Sequence, residues 1–436
     1  MTSLHPLLQE PPLSLNQARL AQILAETENL LLIQDLDGVC MGLVKDPLQR
    51  EIDLDYVHAT QQFDGHFYVL TNGEHIGRRG VNGIIERAAQ AAGQPLAEVG
   101  YLPGLAAGGV QWQERDGVVS HPGVSSAELA FLAAVPEQIQ ARLAAFCADD
   151  LTAWSAAETE TAIAASVLDN VASPSANLNT FYERLGDRAT LYPALQQTMQ
   201  SLMETLLVKA GEQGLGESFF VHYAPNWGRD AQGLERLKPA TAGDSGTTDF
   251  QFMLRGAIKE AGVLALLNRY YHQRTGQYPL GENFSVREAP KSQAELLALV
   301  RQHFDPAAMP VLVGVGDTVT SQVVDTATGP AVRRGGSDRN FLALIQAIDH
   351  HFQRGSLVIY VDSSGGEVKN RRPLKLIEAG GKKRAIAGPG DPRDTDDPLV
   401  LDAVIPGGHR QYIELFITAA QRRAVGKTAS AQPENY

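Results

Sequence analysis

The chain has 436 residues, 44% of them apolar and 20% charged, and a formal net charge of −13. That length suits two or three domains with separate cores, while Lys+Arg 37 against Asp+Glu 50 excludes a broad basic surface for nucleic acid. No run approaches the roughly 18 apolar residues of a membrane span, Met1–Pro12 lacks the pattern of a signal peptide, and two cysteines, Cys40 and Cys147, fit a reducing cytoplasm rather than a disulfide framework.

Taken in order, Leu13–Leu32 shows helical spacing at Leu20, Ile23, Leu24 and Leu30, with Asn16 or Ser14 placed to cap it. Leu30–Asp35 is an apolar run closed by a turn signal at Gly38, the pattern of a buried parallel strand. Cys40–Asp55 reads as a loop and Tyr56–Phe63 as a short helix. His66–Leu70 is a second strand, ended by Thr71-Asn72-Gly73. Val81–Ala92 is helical, Tyr101–Gly109 and Val110–Trp112 are strand material, and Asp116-Gly117 marks a hairpin.

From His121 the texture changes. Ser125–Ala148 and Ala156–Val171 are Ala-rich and helical, and Leu191–Gly211 is amphipathic. Phe219–Tyr223 is a strand followed by a polar-aromatic loop at 224–230. Asp249–Tyr271 predicts one long helix, and Asn283–Glu288 a strand. After Pro290 the first texture returns. Lys291–Phe304 is a helix, Pro310–Val315 a buried strand ending in Gly316-Asp317, Phe341–Phe352 a helix and Ser356–Val361 a strand. Residues 362–396 read as an irregular loop, Leu399–Ile405 as a last strand, Tyr412–Arg423 as a helix and Ala424–Tyr436 as frayed. The alternation predicts an α/β fold with a parallel sheet, in which 1–120 and 290–436 form a discontinuous core and 121–289 an inserted α+β domain.

Three strand ends then carry polar residues at one sheet edge: Asp35 and Asp37, Thr71, and Asp317. Two carboxylates that close repel unless a cation or a proton intervenes, and Mg²⁺ prefers oxygen ligands of this kind. The set has the logic of phosphoryl transfer. Asp35 is placed as nucleophile and Asp37 as the acid that protonates the leaving alkoxide, then as the base toward water. Thr71 and Lys291 serve the phosphoryl oxygens, and Asp317 with Asp35 and the Asp37 carbonyl holds the metal.

These strings, Asp35-Leu36-Asp37-Gly38, Thr71-Asn72-Gly73, Lys291 and Gly316-Asp317, resemble the haloacid-dehalogenase-like (HAD) phosphatases. The resemblance implies a HAD-like Rossmannoid core, and the insert looks like a large C2-type cap for substrate recognition. One position departs from the pattern. Many members carry a second Asp four residues after the Gly-Asp, where this chain has Ser321. Either Asp338 stands in for it, or Ser321 and Thr318 bind metal-held waters; Asp338 as a plain N-cap of Phe341–Phe352 is an equal reading.

Gln34–Met41, Leu70–Gly73, Gly314–Ser321 and Arg334–Arg339 look more closely like the glucosylglycerol 3-phosphate phosphatase family. That likeness implies Mg²⁺-dependent hydrolysis of a small sugar phosphate to the compatible solute glucosylglycerol, in salt acclimation. It leaves open an association with the corresponding synthase, a related trehalose or sucrose phosphate as substrate, and a non-catalytic sugar-phosphate-binding role. For the sugar, His222, Tyr223, Asn226, Trp227 and Arg229 have the hydrogen-bonding and aromatic composition required. Asn72, Gly73, Glu74 and His75 lie in or just after the second motif and are expected to reach the substrate. The basic runs Lys369–Arg372 and Lys382–Arg384 read as a solvated face, with a moving phosphate clamp as the alternative.

Overall fold

In the computed structural model the run Leu30–Gln34 is a strand buried along its whole length. It pairs in parallel with Phe67–Leu70 on one side and Val311–Gly316 on the other. The described residues are 10–44, 47–186, 188, 190–229, 235–241, 244–326, 329–367 and 371–430. The sheet has eight strands, in the order Ala403–Ile405, Leu357–Val361, Val311–Gly316, Leu30–Gln34, Phe67–Leu70, Gly104–Ala106, Gln111–Gln113 and Val119–Ser120. The first six run parallel, Gln111–Gln113 runs antiparallel to them, and Val119–Ser120 runs antiparallel to Gln111–Gln113. Gln34 is level with both Val69 and Val315, so the residues just beyond these three strands emerge together at one edge.

Both faces are covered, as parallel strands require. Alternate residues Leu30 and Leu32 join a core with Leu20 and Leu24 of the helix Gln17–Glu26, and with Tyr412 and Phe416 of the helix Gly408–Ser430. Phe416 gathers the rings of Tyr56, Phe63 and Phe67 within 5.0–5.6 Å. Asn16 does cap the first helix, its side chain accepting the Arg19 amide at 3.2 Å.

Contacts divide the chain into two compact units, 1–75 with 81–123 and 257–436, and 76–80 with 124–256. The expected return to the core at residue 290 is therefore displaced, because 257–289 packs with the sheet unit. The second unit has its own four-stranded sheet, ordered Val167–Leu168, Ser175–Asn177, Asp249–Leu254 and Phe219–Ala224. Its long helices are Val135–Asp150 and Leu191–Glu212. Phe131, Phe219 and Phe252 stack in its core.

Several expectations are corrected. The long helix over Asp249–Tyr271 is a strand, Asp249–Leu254, then a separate helix, Lys259–Thr275. Phe250, Phe252 and Leu254 alternate buried with half-buried neighbours, so the period is 2 rather than 3.6. Asn283–Glu288 contains no strand. Within 318–336 lies an unforeseen hairpin, Thr320–Thr326 against Gly329–Gly335, and the region 362–396 holds another, Lys375–Ala379 against Lys382–Ala387. The loop at 224–230 contains a strand, Asn226–Arg229. The terminal helix runs on to Ser430, past the expected fraying point at 424.

Candidate active site

Asp35 comes directly after its strand, and its amide donates to the Val315 carbonyl at 3.0 Å. One carboxylate oxygen, Oδ1, accepts the Leu36 amide at 2.8 Å. The other, Oδ2, meets the ammonium of Lys259 at 2.8 Å. Lys259 also donates to Asp338 Oδ1 at 2.6 Å and lies 5.1 Å from the Phe341 ring centre. All three charged side chains are buried. Burial pushes the Asp35 carboxyl up to about 6 against the pull of Lys259, while Asp338 raises it further. Burial alone would depress the Lys259 ammonium, but Asp338 and Asp35 lift it above the ordinary lysine range.

The lysine beside Asp35 is Lys259, not the expected Lys291. The Nζ of Lys291 instead donates to the carbonyls of Val286 and Arg287, at 3.1 and 3.0 Å. Lys291 also precedes its helix, which starts at Gln293 with Ser292 as cap. Lys259 opens the helix Lys259–Thr275, and a glycine one turn later brings that helix onto the sheet. A methyl group on Gly262 would lie 2.4 Å from Leu70 Cδ1.

Asp338 is not the side-chain cap of its helix. Its Oδ2 accepts the amides of Asp317 and Thr318 at 2.8 and 2.9 Å, while Oδ1 holds Lys259. Asp338 thus stands in the carboxylate cluster as the partner of Lys259 and of the turn at 317–318. Ser321 lies on the hairpin strand, and its hydroxyl accepts the Asp391 amide at 2.8 Å. The structure does not bring it to the carboxylate cluster.

Asp35, Asp317 and Asp338 each offer an oxygen within 4.8 Å of the others. Among the described residues Asp338 already takes three contacts on its two oxygens, whereas Asp35 takes two and Asp317 keeps one oxygen that takes no hydrogen bond, so Asp35 and Asp317 are the freer donors. Asp317 Oδ2 is buried and accepts no hydrogen bond among the described residues. A buried carboxylate oxygen without a hydrogen bond is costly unless a cation or proton completes it, and the Arg371 guanidinium, with Nε at 3.8 Å, is beyond hydrogen-bonding reach. Burial first, and then the Asp35 charge, raise the Asp317 carboxyl. The pair therefore fits a hard divalent ion with oxygen preference. Gly38 makes room for it: φ is +80° there, and a Cβ would lie 2.1 Å from Asp317 Oδ2.

Asp37 is half-buried, with Oδ1 3.0 Å from Arg50 Nε. Burial raises its carboxyl, Arg50 opposes that, and Asp35 adds to it. A raised carboxyl is the property a general acid needs. Thr71 is buried, and its hydroxyl accepts the Gly73 amide at 3.1 Å. A Cβ on Gly73 would face Thr71 Oγ1 at 3.5 Å and Asp37 Oδ2 at 3.9 Å, so these motifs adjoin. Asn72 is exposed.

Other expected substrate contacts are placed differently. His75 is fully buried, with Nε2 3.1 Å from the Gly104 carbonyl and its amide donating to Gln111 Oε1, and burial holds its pKa down at about 4. It is a neutral core histidine. Glu74 is also buried. Within the second unit, Tyr223 is a core residue, edge-on to Phe250 at 5.5 Å. His222 Nδ1 and Asn226 Nδ2 both bond Glu235, at 2.8 and 3.0 Å. The side chains of Trp227 and Arg229 lie outside the described residues, as do Lys369 and Asn370 of one basic run.

The model of the glucosylglycerol-phosphate phosphatase family matches residues 29–420. A Synechocystis sp. protein named glucosylglycerol-phosphate phosphatase is 60% identical over 418 residues, 96% of this chain and 99% of that one. Among solved structures, Aspergillus fumigatus trehalose-6-phosphate phosphatase aligns with TM-score 0.37 at 8% identity, over 94% of this chain and 100% of that one. The C. albicans trehalose-6-phosphate phosphatase C-terminal domain gives 0.40 at 10% identity, over 94% and 99%. Likeness at that level carries no weight for substrate or mechanism.

Proposed function

Because the chain belongs to the glucosylglycerol-phosphate phosphatase family, a family of phosphoric monoester hydrolases, we propose that it hydrolyses glucosylglycerol 3-phosphate to glucosylglycerol and phosphate through an aspartyl-phosphate on Asp35. The observation that carries the mechanism is the buried Asp35–Lys259 pair at 2.8 Å, beside a carboxylate, Asp317, with one oxygen left open.

In the first step an Asp35 oxygen attacks phosphorus. An O–P bond forms to Asp35 as the bond to the sugar alkoxide breaks. The carboxylic acid of Asp37 gives its proton to that alkoxide. In the second step the Asp37 carboxylate takes a proton from water, whose oxygen attacks phosphorus. The Asp35–phosphorus bond breaks, and inorganic phosphate leaves. Lys259 offsets negative charge at Asp35 and on the phosphoryl oxygens, a use of fixed charge where charge accumulates. The Thr71 hydroxyl is the second donor to those oxygens. Asp35, Asp317 and the Asp37 carbonyl would hold Mg²⁺, which when bound screens the anionic nucleophile from the anionic ester. Asp338 holds Lys259 and the turn at 317–318 in place. The unit 76–80 with 124–256 is read as the cap that selects the sugar, with His222 and Asn226 as its polar groups.

The test is phosphate release from glucosylglycerol 3-phosphate. Activity is expected to vanish in excess chelator and return with added Mg²⁺; undiminished release in chelator would exclude the metal-assisted reading. A second expected result concerns Gly38→Ala. A Cβ there displaces Asp317 Oδ2, and kcat should fall by roughly 100-fold, the scale of a 1 Å misplacement. Near-normal kcat in a folded variant, checked by circular dichroism, would show that Asp317 has no part in turnover.

A further inference from the structure

Arg371 lies 54 residues beyond Asp317 in the chain, in the segment leading to the hairpin Lys375–Ala387, yet its guanidinium reaches the acidic cluster. Its Nη2 donates to Thr318 Oγ1 at 2.9 Å, and Thr318 Oγ1 is 2.7 Å from Asp317 Oδ1. The polarity of these linked bonds is forced. A guanidinium only donates, so the Thr318 oxygen accepts from Arg371. The hydroxyl has one proton, and it goes to Asp317 Oδ1. That commits Oδ1 and leaves Oδ2 as the oxygen of Asp317 without a hydrogen bond among the described residues. The backbone of the same turn is pinned independently by Asp338, through the amides of Asp317 and Thr318.

From this geometry we infer that Thr318 and Arg371 are positioning residues that decide which oxygen of Asp317 is presented to a divalent cation. The inference rests on the metal-assisted reading above. Removing the hydroxyl frees the carboxylate to rotate about its χ2, a soft sp³–sp² torsion. Partners behind metal ligands typically govern affinity by 10- to 100-fold. Arg371 also places Nε 3.8 Å from Oδ2, where its charge opposes a cation, so charge-changing variants at 371 would mix two effects. A charge-conserving one does not.

The experiment is Mn²⁺ binding to the full chain without substrate, read by the electron paramagnetic resonance signal of free Mn²⁺. Thr318→Val, similar in shape without the hydroxyl, should weaken Kd at least about 10-fold. Thr318→Ser, which restores the hydroxyl, should stay within about threefold of wild type. Arg371→Lys should weaken binding severalfold in the Thr318 background and have less than a twofold effect in the Thr318→Val background, because it acts through that hydroxyl. Wild-type affinity in Thr318→Val, or an equal effect of Arg371→Lys in both backgrounds, overturns the inference. If the wild-type chain itself takes up no Mn²⁺, the metal-assisted reading fails instead. The Arg371→Lys comparison stands even if Thr318→Ser folds poorly.

Discussion

Replacing Lys259 by Met is expected to lower kcat for phosphate release by about 1,000-fold, the scale of losing one fixed charge aimed at developing negative charge. It should also destabilise the fold by about 3–5 kcal/mol, the cost of stranding one side of a buried ion pair. Lys259 pairs with both buried carboxylates, Asp35 and Asp338, at 2.8 and 2.6 Å. Without it two buried carboxylates repel each other with no lysine between them. Adding Asp338→Asn removes one of them, so part of the stability should return, seen as a recovered urea midpoint, while kcat stays low. Lys291→Met is the control: its ammonium sits on two backbone carbonyls, and kcat should stay within about threefold of wild type. A Lys259→Met enzyme retaining more than a tenth of its activity, or a matching loss in Lys291→Met, would remove Lys259 from the mechanism.

Asp35→Asn should abolish turnover, with kcat down by roughly 10⁶-fold, as when other covalent nucleophiles are removed. The amide is nearly isosteric but is a very weak nucleophile. One carboxylate oxygen accepts the Leu36 amide and the other meets Lys259, whereas Asn has a single acceptor. One of those contacts is lost, but an expensive buried charge is removed as well, so the unfolding free energy should change by less than about 2 kcal/mol. Phosphate release measured to the detection limit, with urea unfolding in parallel, checks both. Substantial turnover in a well-folded Asp35→Asn protein would mean that the phosphoryl group never rests on Asp35.

Much of the site was legible because it is local. Leu30–Gln34 and Val311–Gly316 are apolar runs with polar residues just past their ends. In a parallel sheet the register that aligns two strands also aligns the residues at their tips. Asp35, Asp37, Thr71 and Asp317 could therefore be placed on one edge from the string of residues. Asp338 was legible only as one of several readings, since a residue preceding a helix looks like a cap until its carboxylate is seen on the amides of Asp317 and Thr318.

The chain of letters by itself determined the strand-and-helix alternation and the acidic tips, since both come from short-range periodicity and turn chemistry. The identity of the lysine, the role of Asp338, the interior setting of His75 and Tyr223, and the reach of Arg371 were decided only by tertiary structure. Lys259 illustrates the reason. Nothing in its neighbourhood marks it, and a lysine opening a helix is ordinarily a solvated one. It is buried on Asp35 because Gly262 lets its helix press against Leu70, a contact between residues 192 positions apart. Close approach of distant segments has no signature in local spacing, and it is that approach which sets a buried charge beside its partner.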